Sequence, residues 1–97
     1  MKSVFITFDE AHYEKITDVL EDNDCHGYSY WEHLMGQGTN GGEPHFGSHA
    51  WPSMNSGIIA IVEDEKVDNL LEDLKEIDEN RPQLGLRAFV WNIEKCI

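Results

Sequence analysis

Basic residues are scarce in this chain: 7 lysines and arginines stand against 19 aspartates and glutamates among 97 residues. A formal charge of −12 argues against a nucleic-acid-binding surface, because phosphate-backbone binding needs clustered Lys and Arg that release counterions. It argues equally against anionic membrane surfaces. Long apolar runs are also missing. Nothing approaches the ~20 residues a spanning helix needs, so no membrane insertion is expected. The N-terminal MKSVFITF runs straight into Asp9 and Glu10 without the apolar stretch of a secretory leader. A cytoplasmic protein is the resulting expectation. The two cysteines, Cys25 and Cys96, are then expected as reduced thiols rather than as a disulfide. Catalytic signatures are lacking as well. None of the serines sits in a G-x-S-x-G elbow. Cys25 and His26 are adjacent, so their side chains point apart and make a poor nucleophile pair. The carboxylates fall mainly on helix faces as solvated surface. The expectation is a binding or regulatory protein, not an enzyme.

What is present follows a clear order. Val4, Ile6 and Phe8 alternate with Phe5 and Thr7 over residues 3–8, which is the period of a strand. Asp9 offers an N-cap, with His12 where a capping box would place Glu. Ile16, Val19 and Leu20, with Ala11 or His12 one turn earlier, give residues 10–23 a helical spacing, closed at Asn23-Asp24. An aromatic-rich stretch from Tyr28 to Met35 reads as the second strand. Residues 36–56 hold five glycines, two prolines and two histidines without period, and read as loop. Gly57–Val62 is almost continuously apolar, as a buried strand is. Glu63-Asp64-Glu65 then opens a helix whose Val67, Leu70, Leu71, Leu74 and Ile77 form one stripe. Asn80-Arg81-Pro82 stops it, and 86–93 form the last strand.

The order βαββαβ predicts a single α+β domain over 1–97, a ferredoxin-like sandwich with two helices on one face of a four-stranded antiparallel sheet. The other sheet face is left bare, carrying Phe5, Tyr30 or Trp31, Ile59 or Ala60, and Phe89 or Trp91. An apolar face of that size calls for a partner, and a small core gains from oligomerisation.

Within the loop, Gly36-Gln37-Gly38-Thr39-Asn40-Gly41 spells G-x-G-x-x-G. A dinucleotide fingerprint must open a helix, and Gly42, Pro44 and Pro52 forbid one. The glycine amides still suit a nest for an anion. His45-x-x-x-His49, with His33, Cys25 and the carboxylates of Glu32 and Glu43 near in sequence, is a composition suited to zinc, copper or nickel, although no spacing matches a standard zinc module. Trp51, followed by Pro52, either anchors the loop base or offers a stacking platform for a nucleobase, a role open to Phe46 too.

With these elements in place, the chain resembles the PII-like signalling superfamily over nearly its whole length. The Gly36–Gly42 turn stands where that family's second strand runs into its long flexible T-loop. The segment Gly47-Ser48-His49-Ala50-Trp51-Pro52-Ser53-Met54-Asn55-Ser56, with its W-P-x-x-N pattern, looks like a group of PII-like proteins other than the nitrogen regulators proper. The resemblance implies a homotrimer whose sheets face inward, ligand sites in clefts between subunits, and a partner such as a membrane transporter that reads the loop. Gly36, Gly38, Gly41, Trp51 and Arg87 are the ligand contacts it suggests. Family members that bind ATP or ADP use basic residues near the fourth strand. Arg81 and Arg87 stand there, without the cluster that holds a triphosphate and without a loop tyrosine for uridylylation. The ligand expected is an adenine nucleotide or a divalent transition metal. The CutA divalent-cation family shares the trimeric fold, and by that analogy the alternative is a metal-binding or metal-tolerance trimer using His45, His49 and His33. A structural interaction protein without small ligand is the second alternative.

Overall fold

The computed structural model describes residues 1–37, 44–45 and 55–97. Strand β1 (Lys2–Asp9) is followed by helix α1 (Tyr13–Asp22), strand β2 (Tyr28–Leu34), two short strands β3 (Gly36–Gln37) and β4 (Pro44–His45), strand β5 (Asn55–Val62), helix α2 (Val67–Asn80) and strand β6 (Arg87–Asn92). The main sheet runs β2-β5-β1-β6 with every neighbour antiparallel, and β3 and β4 make a separate two-stranded ladder. This is the α+β sandwich expected from the pattern.

Alternation along β1 decides the layers. Val4, Ile6 and Phe8 are fully buried and face the helices, with Ile58 and Ala60 of β5 beside them. The helices answer with Ile16 and Leu20, one turn apart on α1, and with Val67, Leu70, Leu74 and Ile77 on α2. Leu71, the fifth residue of the stripe, lies at its margin and is half-buried. Asp9 caps, but what it caps is a 3-10 turn, Glu10–His12, and not the helix expected from residue 10, since α1 starts only at Tyr13: its Oδ1 accepts from the Ala11 amide at 2.9 Å.

Helix α1 ends in a Schellman closure. The Cys25 amide donates to the Leu20 carbonyl at 2.8 Å and the Asp24 amide to that of Glu21 at 3.0 Å. The closure needs a left-handed residue, and Asp24 supplies it at φ 54°. Asn23 then ties the two helices: its amide group donates to Val19 O at 2.8 Å and to Asp73 Oδ2 at 3.0 Å, and its own oxygen accepts from Asn69 at 2.6 Å. Both cysteines are free thiols, Cys25 buried and Cys96 exposed. Burial pushes the Cys25 thiol up, against the opposing pull of Lys66. Among the described residues no helix is long and apolar enough to cross a membrane.

One expectation needs correction. Residues 36–56 do not read as loop throughout. Gly36 pairs with His45 and Gln37 with Pro44, and β5 starts at Asn55 rather than Gly57. The reason is pairing: Asn55 and Ser56 find Asp9 and Phe8 opposite them on β1. Ladder hydrogen bonds can extend a strand through polar residues that carry no hydrophobic period.

Candidate functional site

The sheet face turned away from the helices is apolar. Cross-strand register places Ile59, Phe5 and Phe89 in one row and Ile61, Ser3 and Trp91 in the next. A third row holds Trp31, Gly57, Thr7 and Arg87. Trp31, Ile61, Phe89 and Trp91 are each 40–48% exposed. The choices that periodicity left open thus resolve as Trp31, not Tyr30, and Ile59, not Ala60, with Phe89 and Trp91 both outward. Tyr30 and Ala60 belong to the helix side.

The third row lies at the end of the sheet from which the chain departs into 36–56. There the β2–β5 register shifts between Trp31 and Leu34. Fully buried Ser56 holds the irregularity: its Oγ donates to the Glu32 carbonyl at 2.7 Å. Just past Leu34, Gly36 begins the β3–β4 ladder. Gly57 sits under this point. A Cβ there would stand 2.5 Å from Leu34 Cδ1 and 3.4 Å from Phe5 Cε1. Leu34 can swing its end away, so Gly57→Ala is expected to cost on the order of 1 kcal/mol, while Gly57→Val, with two further carbons, is expected to cost about 1–3 kcal/mol. A fall in the thermal unfolding midpoint larger for valine than for alanine checks this.

Of the candidate ligand contacts, Gly36 lies on β3 and Arg87 opens β6. Gly36 belongs to the separate two-stranded ladder just past β2, and β2 and β6 are the opposite edges of the main sheet. Three strand spacings, roughly 14 Å, separate β2 from β6. The Arg87 guanidinium lies 5.7 Å from the centre of the Phe89 ring, a cation–π contact that holds the charge over the apolar face. Gly85, at φ +74°, makes the left-handed turn that launches β6 behind it. Gly38, Gly41 and Trp51 lie outside the described residues.

The candidate metal ligands fall partly outside the described residues. His33 is exposed on β2, and its Nε2 stands 3.7 Å from Glu32 Oε2, an ion pair only when the ring is protonated. His45 lies on β4 opposite Gly36, and His49 lies outside the described residues. Among the described residues no three His, Cys, Asp or Glu side chains are placed to share a metal ion.

On the helix side of the same end lies a cleft of about 750 Å³, walled by Asp9, Glu10 and Ala11, by Tyr13 and Tyr30, and by Glu32 and Leu84. The two tyrosine rings meet at 4.7 Å between centres with their planes tilted 42°. Sequence reasoning missed this pairing because Tyr13 and Tyr30 are 17 positions apart on different elements. It also missed His12, which points inward and is 1% exposed. Its sequence signals were its place at the missing corner of a capping box and its position one turn before Ile16 on the apolar stripe.

Comparison with known proteins agrees with this fold. No curated protein matches the chain. Among solved structures, CPII from Thiomonas intermedia K12, a nitrogen regulatory PII-like protein bound to ADP, AMP and bicarbonate, is 30% identical, with a TM-score of 0.78 over 95% of this chain and 84% of its own. The apo form of the same protein aligns at 27% identity and TM-score 0.72, again over 95% of this chain and 87% of its own. A PII-like signalling protein from Thermus thermophilus shares the fold at 22% identity and TM-score 0.68, over 95% and 85% of the two chains. The family model described as nitrogen regulatory protein P-II matches residues 1–97, and this chain belongs to that family.

Proposed function

We propose that this chain is a non-enzymatic PII-like sensor that assembles as a homotrimer, binds an adenine nucleotide in the clefts between subunits, and signals through segment 36–56 to a regulated partner such as a transporter. The observation that carries this reading is that Gly36 follows β2, one edge strand of the main sheet, while Arg87 opens β6, the other edge strand. A second copy docked through the apolar sheet face brings one chain's β2 edge toward the next chain's β6 edge. The cleft between them then holds a glycine turn for an anion on one side and an arginine on the other.

The scarcity of basic residues narrows the ligand. With 7 Lys and Arg in the chain, a mono- or diphosphate is better matched than a triphosphate. ADP and AMP in the 30% identical relative support that choice, and its bicarbonate supports a second, small anion beside the nucleotide.

Titration calorimetry with ADP, AMP and ATP, each with and without bicarbonate, tests the reading. ADP or AMP is expected to give saturable heat and to bind more tightly than ATP. Arg87→Ala is expected to weaken binding about tenfold or more, as loss of a charge-assisted phosphate contact does (about 1.4 kcal/mol per tenfold). Absence of heat with all three nucleotides overturns the nucleotide assignment.

A further inference from the structure

The turn between β1 and α1 contains a buried histidine that nucleotide binding leaves without a role. Asp9 caps the turn through Ala11, and a single 3-10 turn, Glu10–His12, delivers the chain into α1. Four residues of this turn, Asp9, Glu10, Ala11 and Tyr13, wall the cleft described above. His12 between them turns the other way, into the core. It is 1% exposed and its Nε2 has no hydrogen-bond partner among the described residues. A neutral ring tolerates that at modest cost. An imidazolium does not, because it adds a desolvated charge and an N–H that finds no acceptor.

We propose that His12 is a proton-operated latch on the Asp9–Tyr13 turn: a proton taken from solvent at Nε2 expels the ring from the core and releases the turn from the cleft wall. Tyr13 transmits the change. Its ring stacks on Tyr30 of β2, and β2 continues through the Glu32 irregularity, pinned by Ser56, into Gly36. The latch therefore bears on the base of the segment through which the family reading has the protein signal. It stands on its own geometry and does not depend on which ligand binds.

The charged groups around His12 come from every element packed on it. Burial acts first and Lys15 of α1 with it, holding the imidazole below its ordinary value of 6.5; Arg81, just past α2, adds to this. Asp9 at the end of β1 and Asp78 of α2 pull the other way and are outweighed. The sign follows. The unfolded chain takes up its proton near 6.5, while the folded chain resists. The closed turn is thus fully favoured above that pH, and its advantage is lost as pH falls from there through the lowered folded value.

The test is a histidine-selective ¹H–¹⁵N NMR titration of the full chain from about pH 7.5 to about pH 5, the range in which imidazoles charge, with the Tyr13 and Tyr30 ring signals followed alongside. The expected result is that His12 stays neutral at pH values below the ordinary imidazole value of 6.5. When it does protonate, the tyrosine rings shift and the Ala11–Tyr13 amides lose exchange protection. The tyrosine shifts are expected to vanish in His12→Leu. If His12 titrates at or above the ordinary imidazole value of 6.5, or if the tyrosine signals do not move when it protonates, the latch is wrong. The wild-type titration decides this by itself should His12→Leu fail to fold. Tyrosine shifts that persist unchanged in a folded His12→Leu also overturn it.

Discussion

Phe89→Asp combined with Trp91→Asp is expected to convert the assembly to single chains. In multi-angle light scattering the wild type is expected at three chain masses and the double variant at one. The two residues lie on β6 in adjacent rows of the apolar face, each nearly half exposed in the isolated chain. Covering what remains exposed contributes on the order of 1 kcal/mol per side chain, about half of what full burial of a large apolar group gives. Losing that is the smaller part. A carboxylate trapped without partner in an apolar interface costs about 3–5 kcal/mol, and symmetry repeats each substitution in every subunit. Each 1.4 kcal/mol shifts the equilibrium about tenfold, so the predicted dissociation is not marginal. The isolated chain is expected to keep its fold, since neither residue belongs to the buried core. A double variant that retains wild-type mass removes this face as the interface. Nucleotide binding should be lost along with assembly if the cleft lies between subunits.

The second large effect concerns the opposite face. Phe8→Ala is expected to lower stability by about 3–5 kcal/mol, the range for a fully buried phenylalanine. Phe8 is fully buried on the helix side of β1, and its strand neighbour across β5 is buried Ser56. Domains of this size hold only about 5–15 kcal/mol in total, so one side chain removes a large share. The loss should appear as a lower urea midpoint with little change in slope. Measurement at one fixed protein concentration matters, because assembly stabilises the folded chain by mass action. A loss below about 1 kcal/mol would mean that the helices close over the vacated volume. Phe8 also ends the run of β1 just before the Asp9 cap, so the variant should loosen the His12 turn too. His12→Leu, by contrast, leaves Phe8 in place, which keeps the two effects separable.

Much of the architecture was legible along the chain because burial leaves a period. The alternation of Val4, Ile6 and Phe8 announces a strand with one face covered, and the stripe from Val67 to Ile77 announces a helix lying on it. Asp9 announces where the chain turns out of β1, since its carboxylate suits orphan amides, here that of Ala11 in the 3-10 turn. The scarcity of Lys and Arg bounds the ligand by charge alone, before any fold is known. These features are local, or are sums over the chain, and need no knowledge of distant contacts.

The tertiary structure decided what depends on register and on distance. Whether Trp31 or Tyr30 faces outward turns on a pairing with Gly57 or Ile58, because a slip of one residue exchanges the two faces of a strand. The β3–β4 ladder and the early start of β5 rest on backbone partners, and backbone hydrogen bonding leaves no mark on side-chain composition. His12 looks in sequence like a failed capping residue; only packing from α2, β1 and α1 together makes it a buried imidazole. Gly36 and Arg87 are candidates of one site in sequence, yet the strand order places β2, which leads to Gly36, and β6, which Arg87 opens, on opposite edges of the sheet. A sequence carries no measure of that separation, because it arises from the crossing of two βαβ units and not from any residue within them.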